Sequence, residues 1–293
     1  MKIGVIVGRF QASIIHDGYL QLFKEVHEKS DQVVIFVGSV EKPPSKMNPL
    51  SFEARKAILI RSGFIGTILP LPDANGNEKW SQRLDGILDG LYPNHDIVLY
   101  GSRDSGCCQY YQGRYKIQVV ETKGVYSSTA YREMIGKEKW NPGLSGPEAV
   151  IWTTQQQFSK AYPTVDCIIY DQGMILLIRK RGENLWRFPG GFVSPEDTSL
   201  EHAIRREVRE ECGDIEITDP IYLGSHRVND WRYFGESDKI LTSLFMAQKM
   251  FGIPKAGDDA FEILLHVPEG IEFNLMPEHR PLLEIWKEKN KRK

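Results

Sequence analysis

The chain has 293 residues, of which 26% are charged and 41% hydrophobic, and its formal net charge at pH 7 is -2. This length allows two domains with separate cores, and the charge excludes the strong basic excess typical of nucleic-acid-binding proteins. Four cysteines without a C-x-x-C pair predict neither a disulfide framework nor a zinc site, and the apolar start is too short for a signal peptide or membrane span. We expect a cytoplasmic protein that binds no nucleic acid and no membrane, and the composition leaves homo-oligomerisation open.

Strand-like and helix-like segments alternate through the first half of the chain. The predicted strands are 2–7, 32–37, 65–71 and 96–100, and the predicted helices are 18–29, 51–62 and 80–91. This alternation predicts an α/β domain with a parallel sheet flanked by helices. The sequence WNPGLSGP at 140–147 gathers two prolines and two glycines, which indicates a domain boundary.

The second half is richer in strand-like segments and predicts an α+β domain on a mixed sheet. A connecting helix is predicted at 148–160 and a strongly charged helix at 199–212. The predicted strands are 165–171, 174–180, 221–228, 240–250 and 260–267. We interpret the final KEKNKRK as a frayed, solvated end. The expected domains are 1–143 and 163–293, joined by a linker at 144–162 that holds the connecting helix.

The first candidate site follows the first predicted strand, where GRFQ precedes HDGY. A turn from a strand into a helix presents backbone N–H groups and a helix N-terminus, which bind anions. Arg9 and His16 add cationic donors, and Gly18 permits close backbone approach. The pattern GRFQ-x4-H-x-G-[H/Y] resembles the nucleotidylyltransferase superfamily, whose second signature histidine is Tyr19 here. The resemblance also implies nucleotide binding by Gly8, Phe10 and Gln11.

A second stretch of the same superfamily lies more than a hundred residues downstream. The sequence YSSTAYR at 126–132 resembles I-S-S-T-x-x-R, the motif that holds nucleotide phosphates. The resemblance assigns this role to Ser127, Ser128, Thr129 and Arg132. The two motifs together imply a Rossmann-like nucleotidylyltransferase domain.

Three further stretches resemble nicotinamide mononucleotide (NMN) adenylyltransferases. They are NPLSFEAR at 48–55, the D…W stretch at 73–80 and YGSRDS at 100–105. The resemblance implies binding roles for Asn48, Arg55 and Asp104, and stacking of Trp80 on the nicotinamide ring. The implied reaction is attack of the NMN phosphate on the α-phosphorus of ATP, which releases pyrophosphate. The groups expected to stabilise the transferring phosphoryl are a divalent ion, Arg9, His16, Lys46 and Arg132.

The second candidate site lies on the charged helix. Glu207, Glu210 and Glu211 stand at i, i+3 and i+4, so three carboxylates share one helix face and favour a hard divalent cation, Mg²⁺ or Mn²⁺. The alternative is a solvated acidic face. The sequence REVREECG at 206–213, with PGG upstream, resembles the Nudix hydrolase box. The resemblance implies that Gly191 offers its carbonyl to the metal and that Arg206 orients a glutamate.

The sequence departs from the Nudix box at two positions. The expected glutamate falls on Asp197, and Arg206 lies one residue further on than the pattern requires, which implies a one-residue insertion. The final aliphatic position is Asp214. The stretch KAGDDA at 255–260 resembles ADP-ribose pyrophosphatases and implies ADP-ribose as the substrate. The general base stays open between residues such as Glu262 and His279, and Trp186 and Trp231 are candidates to stack on adenine or to pack in the core.

The order of the two domains is similar to bifunctional NMN adenylyltransferase/Nudix proteins. This resemblance implies an enzyme that uses ATP, NMN and ADP-ribose with Mg²⁺ or Mn²⁺. Two alternatives stay open, the first because a tyrosine replaces the second histidine, whereas Trp80 and the Asn48 segment speak against the second. The N-terminal domain is then a catalytically weak nucleotide-binding module on an active Nudix hydrolase, or a nucleotidylyltransferase for another phosphate acceptor.

Overall fold

The chain forms two compact units in a computed structural model. The structure describes residues 1–40, 42–102, 105–124, 127–139, 143–144 and 146–291. The first unit comprises Met1–Phe158 together with the short segment Phe234–Ser237, and the second comprises Ser159–Tyr233 and Asp238–Lys293. The helix predicted to connect the domains therefore falls within the first unit.

The first unit is built on a five-stranded parallel sheet. Its strands are β1 (Lys2–Gly8), β2 (Gln32–Ser39), β3 (Thr67–Pro72), β4 (Asp96–Gly101) and β5 (Lys116–Val119). Its helices are α1 (Asp17–Lys29), α2 (Phe52–Arg61), α3 (Asn77–Leu91), α4 (Gly106–Tyr110), α5 (Ser128–Lys137) and α6 (Pro147–Gln156). The strand order is β3-β2-β1-β4-β5, so the direction of winding reverses between β1 and β4. Ligands of such sheets bind at the carboxyl ends of the strands beside this reversal.

Both faces of this sheet are covered, which explains why β1 is an unbroken apolar run. Val5 and Val7 pack on one side with Leu84 of α3, whereas Ile6 packs on the other side with Leu22 of α1. Parallel strands that are buried on both faces lose the alternation of polar and apolar residues seen in half-exposed strands. The predicted α/β fold with a parallel sheet is confirmed.

The second unit holds a seven-stranded mixed sheet. Its strands are β6 (Ala161–Asp171), β7 (Met174–Lys180), β8 (Gly190–Phe192), β9 (Glu216–Ile217), β10 (Ile221–Val228), β11 (Lys239–Phe251) and β12 (Ala260–His266). Its helices are α7 (Leu200–Cys212) and α8 (Arg280–Asn290), with 3-10 turns at Trp231–Tyr233, Ile271–Phe273 and Pro277–His279. The main order is β10-β11-β6-β7-β12, β8 pairs with β6, and β9 pairs with β11. The β11–β6 pair is parallel and the others are antiparallel, which confirms the predicted mixed sheet.

Several elements differ from the sequence-based expectation. The prediction of a frayed end at 287–293 is wrong for most of its length, because α8 continues to Asn290. Leu282, Leu283 and Trp286 bury one face of α8 in a hydrophobic core that also contains Ile168 and Leu177. This burial keeps the charged turn that follows helical. The elements without a predicted counterpart are the helices α4, α5 and α8 and the strands β5, β8 and β9. None of the described helices combines the length and apolar character needed to cross a membrane.

Candidate active sites

The first candidate site lies beyond the carboxyl end of β1, where the chain enters α1. His16 is the N-cap of α1, and its Nδ1 accepts a hydrogen bond from the Tyr19 N–H at 3.4 Å. The neutral imidazole therefore carries its proton on Nε2. Burial lowers the pKa of His16, which favours this neutral form. His16 thus stands at the N-terminus of a helix, where anions are stabilised.

Tyr19 fills the position of the expected second histidine by stacking on the first. Its ring centroid lies 4.4 Å from that of His16 with an interplanar angle of 20°. On its other side Tyr19 contacts Phe10 at 4.6 Å, and burial raises the pKa of the phenol. Phe10 itself is 2% exposed and belongs to the core. The tyrosine therefore restricts the plane of the His16 ring, and Phe10 packs against the tyrosine from the core.

Arg9 is held at the site by two acceptors from neighbouring loops. Its Nη2 donates to Asp73 Oδ2 at 2.7 Å and its Nη1 donates to Asn48 Oδ1 at 3.2 Å. Gln11 is buried and clamps the Asn48 loop, because it exchanges hydrogen bonds with the backbone of Leu50. The predicted residues Arg9, Gln11 and Asn48 are therefore brought together, and Asp73 joins them from the end of β3.

Arg55 and Arg132 are buried, and their donors bind backbone oxygens. Arg55 is 3% exposed and donates to the carbonyls of Ser51, Arg9 and Gly38. Arg132 is 4% exposed and donates to the carbonyls of Gln11 and Lys46. Burial lowers the pKa of both guanidinium groups. In this structure the two arginines tie the loops of the site together, and the Lys46 backbone is one of the groups they hold.

The remaining predicted residues lie on three elements. Ser127 caps α5 by accepting from the Ala130 N–H at 3.1 Å, and Thr129 Oγ1 accepts from Arg132 Nη2 at 3.1 Å. Ser128 opens α5, Gly18 is buried in the first turn of α1 and Gly8 ends β1. Trp80 lies on α3 and meets Tyr111 edge-on at 6.4 Å. Asp104 lies outside the described residues.

The second candidate site forms where α7 packs beneath the turn at Pro189. Ser199 caps α7 through its Oγ, which accepts from the His202 N–H at 3.1 Å, and the helix ends at Gly213 with φ of 75°. The apolar face of α7 packs in a different hydrophobic core from that of α8, one that also contains Val165 and Cys167, and its members are Ala203, Ile204, Val208 and Cys212. This packing turns Glu207 and Glu211 inwards, where they are 9% and 2% exposed.

The two inward carboxylates meet the glycine turn directly. Glu211 Oε2 accepts from the Gly190 N–H at 2.8 Å, and a Cβ on Gly191 would fall 2.5 Å from Glu207 Oε2. Burial raises the pKa of Glu207, and it raises the pKa of Glu211 to about 8. Lys180 Nζ lies 3.4 Å from Glu211 Oε1. The turn therefore needs glycine at 191, where the Glu207 carboxylate occupies the space of a side chain, and at 190, where a Cβ would fall 2.1 Å from the Val165 carbonyl oxygen.

Arg206 organises the acidic face of α7. Its Nη1 donates to Glu207 Oε1 at 2.7 Å and to Glu210 Oε2 at 3.2 Å, and its Nη2 donates to Asp197 Oδ2 at 2.7 Å. Asp197 is 1% exposed at its side chain, and the bond to Arg206 lowers its pKa to about 2. Asp197 thus holds Arg206 from the other side, despite the insertion that shifts it in sequence.

The donor set at this site fits a hard divalent cation. Carboxylate oxygens with a neighbouring backbone carbonyl suit Mg²⁺ or Mn²⁺. Because Gly191 has no side chain, the Glu207 carboxylate can lie against the turn. Arg206 forms ion pairs with Glu207 and Glu210, and Lys180 Nζ lies 3.4 Å from Glu211 Oε1. Accordingly, among the residues that the structure describes, no group of three or more His, Cys, Asp or Glu side chains is arranged to hold a metal ion. Metal binding would require these side chains to move.

Sequence reasoning missed a buried carboxylate next to this site. Asp166 interrupts the apolar run of β6 and pairs with Gly190 across the sheet, and its Oδ2 accepts from Thr242 Oγ1 at 2.5 Å. Burial raises its pKa to about 6. His279 Nδ1 lies 3.7 Å from Asp166 Oδ1, and burial lowers the histidine pKa to about 3. An aspartate within the apolar stretch VDCII at 165–169 is the signal that could have identified it.

The other residues considered for the second site lie on several elements of the second unit. Glu262 forms an ion pair with Arg179, and the Arg179 guanidinium lies 4.8 Å from the centre of the Trp186 ring. Trp231 is 36% exposed. A cavity of about 500 Å³ is lined by Lys180, Arg181, Glu183 and the segment 258–261. The stretch that resembles ADP-ribose pyrophosphatases therefore faces a cavity that adjoins Lys180.

Comparison with known proteins gives a match for each half of the chain. Residues 160–282 match the family model of the NUDIX domain. The first half is similar to nicotinamide-nucleotide adenylyltransferases. That of Pyrococcus furiosus is 32% identical over 152 residues, which cover 48% of this chain and 77% of the relative. That of Thermococcus onnurineus is 31% identical over 149 residues, which cover 47% and 75%.

A solved structure resembles the chain along its length. The bifunctional NMN adenylyltransferase/ADP ribose pyrophosphatase from Francisella tularensis, complexed with AMP and a Mn ion, aligns with 98% of this chain and 99% of its own. The identity is 20% and the TM-score is 0.46. A likeness of this size does not extend to activity.

Proposed function

The chain belongs to the nicotinamide-nucleotide adenylyltransferase family, and from this membership we propose that its first unit transfers the adenylyl group of ATP to NMN. A phosphate oxygen of NMN bonds to the α-phosphorus of ATP while the bond to the bridging oxygen breaks, so that NAD forms and pyrophosphate leaves. The observation that carries this proposal is the identity to the relatives across three quarters of their length. The placement of His16 and Arg9 at the end of β1 supports it.

The first unit contributes positioning and electrostatic stabilisation, because this reaction requires no covalent enzyme group. The N-terminus of α1 and the His16 Nε2–H are suited to the charge that develops on the α-phosphoryl oxygens. Arg9 supplies a positive charge, and Asn48 and Asp73 fix its direction. Ser127, Ser128 and Thr129 stand at the N-terminus of α5, which is suited to the phosphate chain of ATP.

The second unit is proposed to hydrolyse the diphosphate bridge of ADP-ribose to AMP and ribose 5-phosphate. The observation that carries this proposal is the glycine turn that receives two buried carboxylates, within a segment that matches the NUDIX domain. Glu207, Glu211 and the Gly191 carbonyl would hold the divalent ion, which supplies Lewis acid chemistry to the diphosphate and to the attacking water. Arg206 keeps Glu207 in place, and Lys180 is placed to meet a phosphate in the adjoining cavity.

Two variants test the assignment of each activity to its own unit. The full chain is incubated with ATP, NMN and Mg²⁺ and assayed for NAD, and separately with ADP-ribose and Mg²⁺ and assayed for AMP. His16→Ala should lower NAD formation by about 10² to 10³ and leave AMP formation unchanged. Glu211→Gln should give the reverse pattern. Wild-type protein that binds ATP but forms no NAD would refute the first assignment, and AMP formation that survives Glu211→Gln would refute the second.

A further inference from the structure

A carboxylate that lies far along the sequence completes the network around Arg9. Glu236 belongs to the segment Phe234–Ser237 of the first unit, and its side chain is 1% exposed. Its Oε1 accepts from Asn48 Nδ2 at 2.7 Å and also pairs with Lys42 Nζ. The Lys42 side chain is 5% exposed. Glu236 is thus a buried carboxylate that binds the amide nitrogen of Asn48, whereas Arg9 binds the amide oxygen.

The neighbours of Asn48 allow only one orientation of its amide group. A carboxylate only accepts hydrogen bonds and a guanidinium only donates them. The Nδ2 must therefore face Glu236, at 2.7 Å, and the Oδ1 must face Arg9 Nη1, at 3.2 Å. A flipped amide would set donor against donor at Arg9 and acceptor against acceptor at Glu236, so the chemistry of the two neighbours alone fixes the orientation.

We propose that Glu236 is a positioning residue for adenylyl transfer, which acts by holding the Asn48 amide so that its oxygen fixes Arg9. The proposal rests on the proposed function of the first unit. Without an acceptor at position 236 the Asn48 Nδ2 loses its hydrogen bond, and the amide is held only at its oxygen, by Arg9 at 3.2 Å and Gln11 at 3.5 Å. The amide oxygen is then fixed less firmly, and Asp73 remains the strongest partner of Arg9. A misplacement of about 1 Å can cost about 10²-fold in rate, so a displaced cationic group loses much of its effect on a transferring phosphoryl group.

A purely structural role for Glu236 makes a different prediction. In that case the Lys42–Glu236 ion pair only stabilises the fold, and well-packed uncharged replacements would preserve activity whether or not they accept a hydrogen bond. The two roles are separated by a matched pair of variants, Lys42→Met/Glu236→Gln and Lys42→Met/Glu236→Leu. Both remove the buried charges, and only the glutamine variant keeps an oxygen that can accept from Asn48.

The measurement is kcat/KM for NAD formation at saturating ATP. The glutamine variant should stay within about threefold of wild type, and the leucine variant should fall by about 10- to 100-fold. Adding Asn48→Asp to the leucine variant should recover about tenfold of that loss, because an aspartate presents an oxygen to Arg9 in either orientation. Should the leucine variant not fold, Lys42→Met/Glu236→Met, whose unbranched side chain also lacks an oxygen, replaces it with the same expected loss and recovery.

Equal activity in the two variants, or a loss that Asn48→Asp does not recover, would overturn the positioning role. AMP formation from ADP-ribose serves as the internal control and should be unchanged throughout. If the wild-type protein forms no NAD, the proposed function fails, and crystal structures of the two variants then decide the role of Glu236. The Arg9 Nη1–Asn48 Oδ1 distance of 3.2 Å should persist in the glutamine variant and be lost in the leucine variant. Persistence in both would overturn the proposal.

Discussion

Replacing Glu211 by glutamine should remove a pH-dependent loss of stability from the metal-free second unit. Burial raises the pKa of this carboxyl from 4.5 to about 8, although Lys180 and the Gly190 N–H both oppose the rise. The folded chain therefore binds this proton more tightly than the unfolded chain. Its contribution to stability is complete below about pH 4.5 and is lost as the pH rises through about 8. Since one pKa unit corresponds to about 1.36 kcal/mol, the free energy of unfolding falls by up to about 5 kcal/mol between pH values well below 4.5 and well above 8.

The assay is hydrogen exchange of the amides in α7 in EDTA, at increasing urea, between pH 5 and pH 9. Because exchange is measured at the amides of α7, unfolding of the first unit does not contribute to the result. Wild type should lose several kcal/mol across this range, Glu211→Gln should not, and Mn²⁺ should stabilise wild type more at pH 8 than at pH 5. The matched control is Glu210→Gln, because the Glu210 side chain is 47% exposed and should keep the wild-type slope. An undiminished slope in Glu211→Gln would refute this reasoning.

Three further predictions concern single side chains. Tyr19→His should raise kcat for NAD formation by about tenfold, since a second imidazole beside His16 can donate a charge-assisted hydrogen bond that a phenol cannot, and an unchanged kcat would contradict this. Trp80→Ala should raise KM for NMN by about tenfold and leave KM for ATP nearly constant, as steady-state kinetics can establish; equal rises in both would exclude stacking on nicotinamide. Asp197→Asn should lower kcat for ADP-ribose by about 10- to 100-fold and spare NAD formation, because it loosens Arg206; full activity would show that Asp197 is dispensable.

Local sequence patterns predict much of this fold because they record burial directly. The strand β1 is apolar throughout because it is buried on both faces, and α7 is amphipathic because only one of its faces is packed. The end of the chain shows the limit of such patterns. The charges of KEKNKRK predict a frayed segment, whereas the preceding Leu282, Leu283 and Trp286 carry the stripe that fixes α8. The helical spacing is present in the sequence, but the dense charge that follows conceals it.

The sites are predictable where function depends on residues close in sequence. The spacing of Glu207, Glu210 and Glu211 is enough to place their carboxylates on one helix face. The presence of an arginine in a motif does not show whether its side chain binds a ligand or the backbone. Arg132 donates to carbonyls of loops that lie over 80 residues away in the sequence. The Asn48–Glu236 contact spans 188 residues and has no sequence signal of its own.

The first unit is discontinuous in the chain, and this has a consequence for its biosynthesis. Its last four residues, Phe234–Ser237, are translated 76 to 79 residues after Phe158. At about 5 to 20 residues per second the ribosome needs about 4 to 16 s to reach Ser237. During that interval the segments that form its sheet and helices have been synthesised, but the carboxylate that meets Asn48 has not. A recombinant fragment ending at Phe158 would preserve this unfinished state permanently.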